Sequence, residues 1–453
     1  MKDARPGGGY SLVRGLTRLL LKLFYARIEV VGGENVPSAG PLIVAANHHN
    51  SIVDAMLLIA TVPRPLRILA NAPLFRHPLI GPFLRLVGGL PVRRRQEAGD
   101  DPDKNAALFA ATTAALRAGG AILIFPEGRT QPEPALQTVR TGAARMLLAA
   151  ESAGGETRVT LLPVGLVFDR PGTFRDGRAL VLIGPPVSTA DILSGDRSAA
   201  GARLLTDRLA SALRAQIVEA DDRHTLRLLR LVEELWRDRD GAPPPPEAVR
   251  VQWLQAAMRT YRGLLRTDPD RISHFRRDLE AFDAESERAG LAAEHLSRSY
   301  SFATVARFVV TEGLSLLVAA PLAVCGIVLH AIPYRLTATA VRRIPHTDEE
   351  EATDKIAAGL VLYPLAWLGE AWAAFAIGGK TALAIFAIAL LPTGLVALTW
   401  YERLERVRRE ARAFARFLRD RDLPNRLRRR RQALAEELRA LALVAEAIPA
   451  EPA

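Results

Sequence analysis

Three long apolar runs in the C-terminal part of the chain limit what it can fold into. "GLSLLVAAPLAVCGIVLHAIP" (313–333) carries no formal charge. "IAAGLVLYPLAWLGEAWAAFAIGG" (356–379) carries one acid, Glu370, and "TALAIFAIALLPTGLVALTWY" (381–401) is uncharged and closes on Trp400 and Tyr401. Each is about one bilayer crossing long, and an aromatic pair at the end of such a run suits a membrane interface. These runs define a transmembrane region over residues 301–401 with two or three spans. The strongly basic segment behind it opens a helical tail over 402–453, placed on the cytoplasmic side by the positive-inside rule. An N-terminal domain on the same side requires an even number of crossings, so one of three runs would be re-entrant. Pro321 in the first run and Glu370 in the second mark the suspects.

The chain is 453 residues long, enough for more than one folded unit. Charged residues make up 24% and apolar ones 49%, which argues against wholesale disorder. A formal charge of +11, mostly arginine, favours an anionic partner such as nucleic acid, an anionic membrane face or a phosphate-bearing substrate. Basic clusters lie beside apolar spans rather than interleaved with aromatics, so nucleic acid is not the expected partner. The single cysteine, Cys325, excludes an internal disulfide framework and a cysteine-rich metal site. The first thirty residues lack a clean apolar core with a small-residue cleavage site and do not read as a signal peptide.

Residues 10–27 read as an amphipathic helix, with Arg14, Arg18 and Lys22 on one face and Leu16, Leu19, Leu20, Leu23 and Phe24 on another. Two readings stand: a surface helix packed on a domain core, or a membrane-interface helix over residues 1–27 with its basic face at the lipid headgroups. From 28 to 220, strand-like runs at 28–32, 41–47, 121–128, 159–168 and 179–184 alternate with helical patterns near 52–61, 103–118, 139–152 and 202–219. That alternation predicts an α/β domain, a mixed sheet flanked by helices, with its site where strands end. Residues 221–300 form a charged helical region interrupted by "GAPPPP".

The stretch "NHHNSIVD" (47–54) ends the second strand-like run. Ser51 reads as the cap of a helix with Asp54 three residues inside it, a capping arrangement that alone explains the aspartate. The functional reading is that a loop histidine is oriented by this carboxylate, which makes it a general base for a hydroxyl. Metal binding is disfavoured, because neighbouring histidines point apart and a third ligand is not evident. Three further segments accompany it. "GGLPVRRR" gathers Arg93, Arg94 and Arg95, suited to bidentate phosphate recognition or simply a solvated run. "FPEGRT" offers Glu127, Gly128, Arg129 and Thr130 at a strand end, or an ordinary turn. "LLPVGLVF" embeds Pro163, Val164 and Gly165 in an apolar run, which argues against a central strand and suggests a bulge or close ligand approach.

In this order the four segments resemble the glycerolipid acyltransferase family, which acylates glycerol-3-phosphate and 1-acylglycerol-3-phosphate (lysophosphatidate). "IEVVGGENVPSAGPLIVAAN" and "VRTGAARM" share the likeness, which covers roughly residues 10–220. The commonest family spacing pairs His49 with Asp54, whereas a branch with one more residue pairs His48 with Asp54; His48 is favoured as the base and His49 is its rival. By resemblance, Arg93, Arg94, Glu127, Gly128, Arg129 and Thr130 would bind the glycerol-phosphate headgroup, and Pro163, Val164 and Gly165 would help form the acyl-donor site. The implied reaction moves an acyl group from acyl-CoA or acyl carrier protein to 1-acylglycerol-3-phosphate in phospholipid biosynthesis, or alternatively to glycerol-3-phosphate. It needs neither metal nor cofactor. The implied partners are membrane lipids, the acceptor and the acyl donor, and the implied location is a bacterial inner membrane with a cytoplasmic catalytic domain.

Overall fold

The computed structural model describes residues 8–78, 80–92, 103–130, 134–152, 158–169, 172–195, 198–237, 246–289, 302–343, 350–420 and 422–446. They form two compact units. The first takes the described residues up to Arg223, with Pro246–Gln255 and those of Pro345–Ala357. Its helices are α1 (Gly8–Phe24), α2 (Ser51–Thr61), α3 (Ile80–Leu86), α4 (Asp103–Arg117), α5 (Gly142–Ser152), α6 (Ala190–Ser194) and α7 (Ala199–Arg214). Its strands are β1 (Arg27–Val31), β2 (Leu42–Ala46), β3 (Leu66–Asn71), β4 (Leu90–Val92), β5 (Ala121–Ile124), β6 (Thr160–Asp169) and β7 (Arg178–Ile183).

These strands make one sheet in the order β1-β7-β6-β2-β5-β3-β4, parallel except where β6 meets β7. β2 and β5 are continuous apolar runs because both faces of the sheet are covered. Side chains alternate along β2. Ile43 and Ala45 enter a core with Leu116 of α4, Leu147 of α5 and Leu209 of α7. Leu42, Val44 and Ala46 face the opposite way, toward Val13 of α1 and Leu58 of α2. The helix after β2 therefore lies on one face and the helix after β5 on the other. Adjacent strands whose connections diverge open a crevice at their carboxyl ends, which is where α/β sheets bind ligands.

Two expectations change here. β3 was absent from the expected strands, since Pro63 and Pro65 make its approach look like loop. β6, expected to be unsuited to a central place, lies between β7 and β2 and runs unbroken through Pro163. Its even-numbered residues donate toward β2, as Thr160 does to the Pro41 carbonyl (3.0 Å). The N–H that Pro163 lacks would face β7, whose ladder begins only at the Val164–Ile183 pair.

α1 buries Tyr10, Val13, Thr17, Leu21 and Phe24, so the packed-surface-helix reading holds for that face. Two of its basic residues do not form the expected lipid-headgroup face. Arg14 donates to the Val62 carbonyl (2.8 Å) and Arg18 to the Ala60 carbonyl (2.9 Å), at the end of α2 where unpaired carbonyls and the helix dipole favour cations. Leu12, Leu16 and Leu19 remain outward, at 69%, 41% and 55% exposure, on a third face.

In the second unit, α8 (Arg223–Arg237), the part of α9 (Glu247–Thr267) beyond Gln255, α10 (Pro269–Ala289) and the C-terminal α13 (Leu423–Glu446) share a core that includes Leu235, Leu264, Phe275, Phe282, Leu427 and Leu434. Arg271 pairs with Glu437 (2.7 Å) and Arg430 with Glu285 (3.0 Å) across α10 and α13. Between these lie α11 (Phe302–Arg343) and α12 (Glu351–Arg419), each long and apolar enough to cross a membrane and carrying outward Leu317, Val318, Trp372 and Ile388. The three apolar runs thus occupy two helical elements. α12 is broken at Gly378 and at Gly379 (φ 59°, ψ −149°), a conformation essentially restricted to glycine, so the last run begins a separate segment.

α11 packs antiparallel to that last segment. Trp400 donates to the Leu316 carbonyl (2.9 Å) and Arg403 to the Ser315 hydroxyl (2.6 Å), while Gly326 lies against Thr393. A Cβ at Gly326 would sit 2.0 Å from the Thr393 oxygen, which is backbone and cannot yield cheaply. Gly326→Val is expected to lower stability by about 2 kcal/mol. Thermal unfolding in detergent checks this, and an unchanged midpoint would contradict the close packing.

Candidate active site

The site forms where β2 and β5 end side by side. β2 runs into Asn47, which is fully buried and uses its side-chain amide as a peptide group would. Its Nδ2 donates to the Leu166 carbonyl (2.9 Å) and its Oδ1 accepts the Leu166 N–H (2.6 Å). The chain then turns through His48, His49 and Asn50 into α2. The helix cap is Asn50 rather than the expected Ser51, which takes φ 44°, an uncommon backbone for a residue other than glycine. Asp54 consequently sits one position deeper than the expected capping arrangement requires.

Asp54 is buried completely, and its Oδ2 accepts three hydrogen bonds, each 2.8 Å: from the backbone N–H groups of His49 and Asn50, and from His48 Nδ1. The structure thus brings His48, not His49, against the carboxylate by its ring. The longer spacing is used because the backbone N–H groups of residues 49 and 50 wrap the carboxylate and turn the His48 ring back onto it. His48 is 17% exposed at its side chain and stacks on Phe125, with ring centroids 4.0 Å apart and planes 13° from parallel. Nδ1 is held by Asp54, which leaves Nε2 as the nitrogen available to a substrate.

From the other strand, "FPEG" makes a tight turn in which Gly128 N–H donates to the Phe125 carbonyl (3.1 Å) and Gly128 takes φ 74°. Glu127, expected among the headgroup ligands, points its carboxylate inward instead. Oε1 accepts the His48 N–H (2.8 Å) and Oε2 the Gln137 N–H (3.1 Å). Both oxygens are therefore engaged by backbone, so Glu127 braces the histidine loop. Arg129 is exposed and Thr130 half-buried beside it. Arg93, Arg94 and Arg95 lie outside the described residues. Arg140, inside "VRTGAARM" but not singled out in the sequence, is also exposed, and its guanidinium lies 3.1 Å from where a Cβ on Gly128 would be.

Pro163, Val164 and Gly165 are buried in β6. The close approach expected at Gly165 comes from the chain itself, since a Cβ there would lie 2.1 Å from the Gln216 carbonyl oxygen. Among the described residues no three His, Cys, Asp or Glu side chains gather as a metal site would. Two buried groups escaped the sequence reading. Asn50 donates from Nδ2 to the Tyr25 hydroxyl (2.7 Å), and Tyr25 stands 25 residues upstream with no local pattern to mark it.

Burial pushes the Glu127 carboxyl above the usual range, and the charges of His49 and His48 with the N–H groups of Gln137 and His48 pull it back only in part. The folded value therefore lies above that of the unfolded chain, so ionising Glu127 costs native stability as pH rises from the ordinary glutamate range through the raised one. Glu127→Gln removes that loss. Urea unfolding at about pH 4 and about pH 7 is expected to show wild type losing stability relative to the variant; a relative gain would sink this account.

Residues 27–167 match the sequence model of the family described as Acyltransferase. The chain is 25% identical over 177 residues to the 1-acyl-sn-glycerol-3-phosphate acyltransferase LPAT1, chloroplastic, of Arabidopsis thaliana, covering 38% of this chain and 47% of that protein. It is 29% identical over 157 residues to the 1-acyl-sn-glycerol-3-phosphate acyltransferase of Borreliella burgdorferi, covering 35% of this chain and 58% of the relative. The matches thus span about half the length of these relatives. The solved structure of the 1-acyl-sn-glycerophosphate acyltransferase PlsC from Thermotoga maritima aligns over 46% of this chain and 78% of its own, at 19% identity and a TM-score of 0.35, a likeness too low to carry weight. The matched segment runs from β1 into β6 and contains both strand ends that build the site, so it is this part of the chain, residues 27–167, that is similar to the acyltransferase family.

Proposed function

We propose that the chain transfers an acyl group from acyl-CoA or acyl carrier protein to the free hydroxyl of 1-acylglycerol-3-phosphate, forming phosphatidate for phospholipid biosynthesis. The observation that carries this is the 2.8 Å hydrogen bond between His48 Nδ1 and the buried Asp54 carboxylate at the carboxyl end of β2. Asp54 keeps the proton on Nδ1, so Nε2 holds a lone pair toward the substrate. Nε2 takes the proton of the acceptor hydroxyl as its oxygen attacks the thioester carbonyl. The tetrahedral intermediate then expels the thiolate, which takes the proton from the imidazolium. The acyl group passes directly to the acceptor, and the reaction needs no metal or cofactor beyond the acyl donor as co-substrate.

An anionic headgroup needs fixed cations beside the base. In this reading Arg129, Thr130 and Arg140 receive the phosphate, together with Arg93 and Arg94, and the turn at Gly128 sets them at the strand end. Pro163, Val164 and Gly165 back the acyl-donor side. Glycerol-3-phosphate is the alternative acceptor, favoured by the His48–Asp54 spacing that the geometry uses. The proposed location is a membrane, with α11 and α12 integrated and the Leu12, Leu16 and Leu19 face of α1 at the interface. A site beside the bilayer spares a long-chain lipid the transfer into water, about 0.8 kcal/mol per CH₂.

Labelled acyl donor offered to each acceptor, with the full chain in vesicles, tests the reading. His48→Ala is expected to lose roughly 10²–10⁴-fold in rate and His49→Ala far less; a fully active His48→Ala would remove the base. Replacing Leu12, Leu16 and Leu19 with serine is expected to lower activity on long-chain lysophosphatidate while sparing a short-chain analogue. Equal effects on both lipids would take α1 away from the interface.

A further inference from the structure

Asp54 is the group on which the proposed base depends, and it has a second neighbour. Tyr25 is the residue immediately after α1, tied to it by its own N–H to the Leu21 carbonyl (2.8 Å), and its ring is fully buried between Phe24 (5.1 Å, edge-on) and Phe168 (6.1 Å). Its hydroxyl accepts the Asn50 side-chain amide at 2.7 Å, and the backbone N–H of that same Asn50 donates to Asp54 Oδ2 at 2.8 Å. Asn50 is also the cap of α2, the helix that carries Asp54. Both Asn50 and Asp54 are completely buried, so neither has solvent to settle its dipole or charge.

We infer that Tyr25 is a positioning residue for the base: through Asn50 it holds the Asp54 carboxylate, and with it the His48 imidazole, in register with the end of α1. The inference rests on His48 being the base of the proposed transfer. Packing alone would be served by phenylalanine at this place, since the ring already has aromatic neighbours. The hydroxyl is what Asn50 uses. Burial, and then the charge of Asp54, hold the Tyr25 phenol far above its usual range, so it stays a neutral dipole at every working pH. The titratable groups facing His48 are Asp54 from α2, Glu127 from the turn after β5 and His49 beside it. Tyr25 acts on His48 through the first of these. Without the hydroxyl, Asn50 loses its anchor, so the loop that holds the Asp54 carboxylate, and with it the His48 ring, is less firmly placed.

The test uses the full chain in detergent with ¹³C-labelled histidine, His48→Ala supplying the assignment of the His48 signal. In Tyr25→Phe the His48 ring signals are expected to move and broaden at fixed pH, as the imidazole loses its fixed register with Asp54. The rate constant kcat is expected to fall about tenfold with KM for donor and acceptor unchanged. Asn50→Ala is expected to do the same, and the double variant to lose no more than either alone, because the two act as one unit. His48 ring signals unchanged in both single variants, whatever the activity, overturn the inference and leave Tyr25 as packing. If the full chain transfers no acyl group to either acceptor, the proposed function falls, while the His48 ring signals still decide whether Tyr25 positions Asp54.

Discussion

The arrangement at the end of β2 depends on one buried anion. A fully desolvated carboxylate is unstable unless hydrogen bonds replace its lost water, and Asp54 is supplied with three by a loop that wraps it. Its position in the first turn of α2 adds the helix dipole. The consequences spread outward. The loop must present the N–H groups of residues 49 and 50 inward, which turns the His48 ring onto Asp54 and leaves Ser51 at positive φ. Glu127 does the matching work from the neighbouring strand by taking the His48 N–H. Three successive backbone N–H groups are thus claimed by two buried carboxylates from two different elements, and the histidine has little freedom left.

That clamp needs a scaffold holding the ends of β2 and β5 together, and the mixed sheet provides it. The strands are buried on both faces, and the helices that follow them leave toward opposite faces, so the crevice opens beside the two carboxylates. Asn47 locks β2 to β6 at the same level. On the other side of Asp54, α1 is fastened to α2 by Arg14 and Arg18 at its carbonyl end and by Tyr25 at its start. The helix with the outward leucines is therefore mechanically continuous with the helix that carries the aspartate.

Much of this was legible in the linear chain, where the physics is local. The order of apolar runs and helical patterns located β1, β2, β5, β6 and β7, and two of the four short segments marked the ends of β2 and β5 where the candidate site forms. Lengths and charge of the apolar runs marked α11 and α12. What failed did so for identifiable reasons. β3 was hidden by flanking prolines, and β6 looked unfit for the sheet centre because periodicity cannot show which ladder a missing N–H would face. Glu127 read as a ligand for substrate because its sequence neighbours do not reveal which way a turn aims its carboxylate.

The choice between two adjacent histidines shows the division most clearly. By itself the sequence determined that a histidine and an aspartate meet at a strand–helix junction within an α/β domain, since alternation, capping and spacing are properties of neighbouring residues. Which histidine, which nitrogen, and which buried partners stand behind the aspartate were decided only by tertiary structure. Those answers depend on hydrogen bonds to Asp54 and Glu127 from residues brought together by the sheet. The role of Tyr25, 29 positions before Asp54, depends on the same long-range packing.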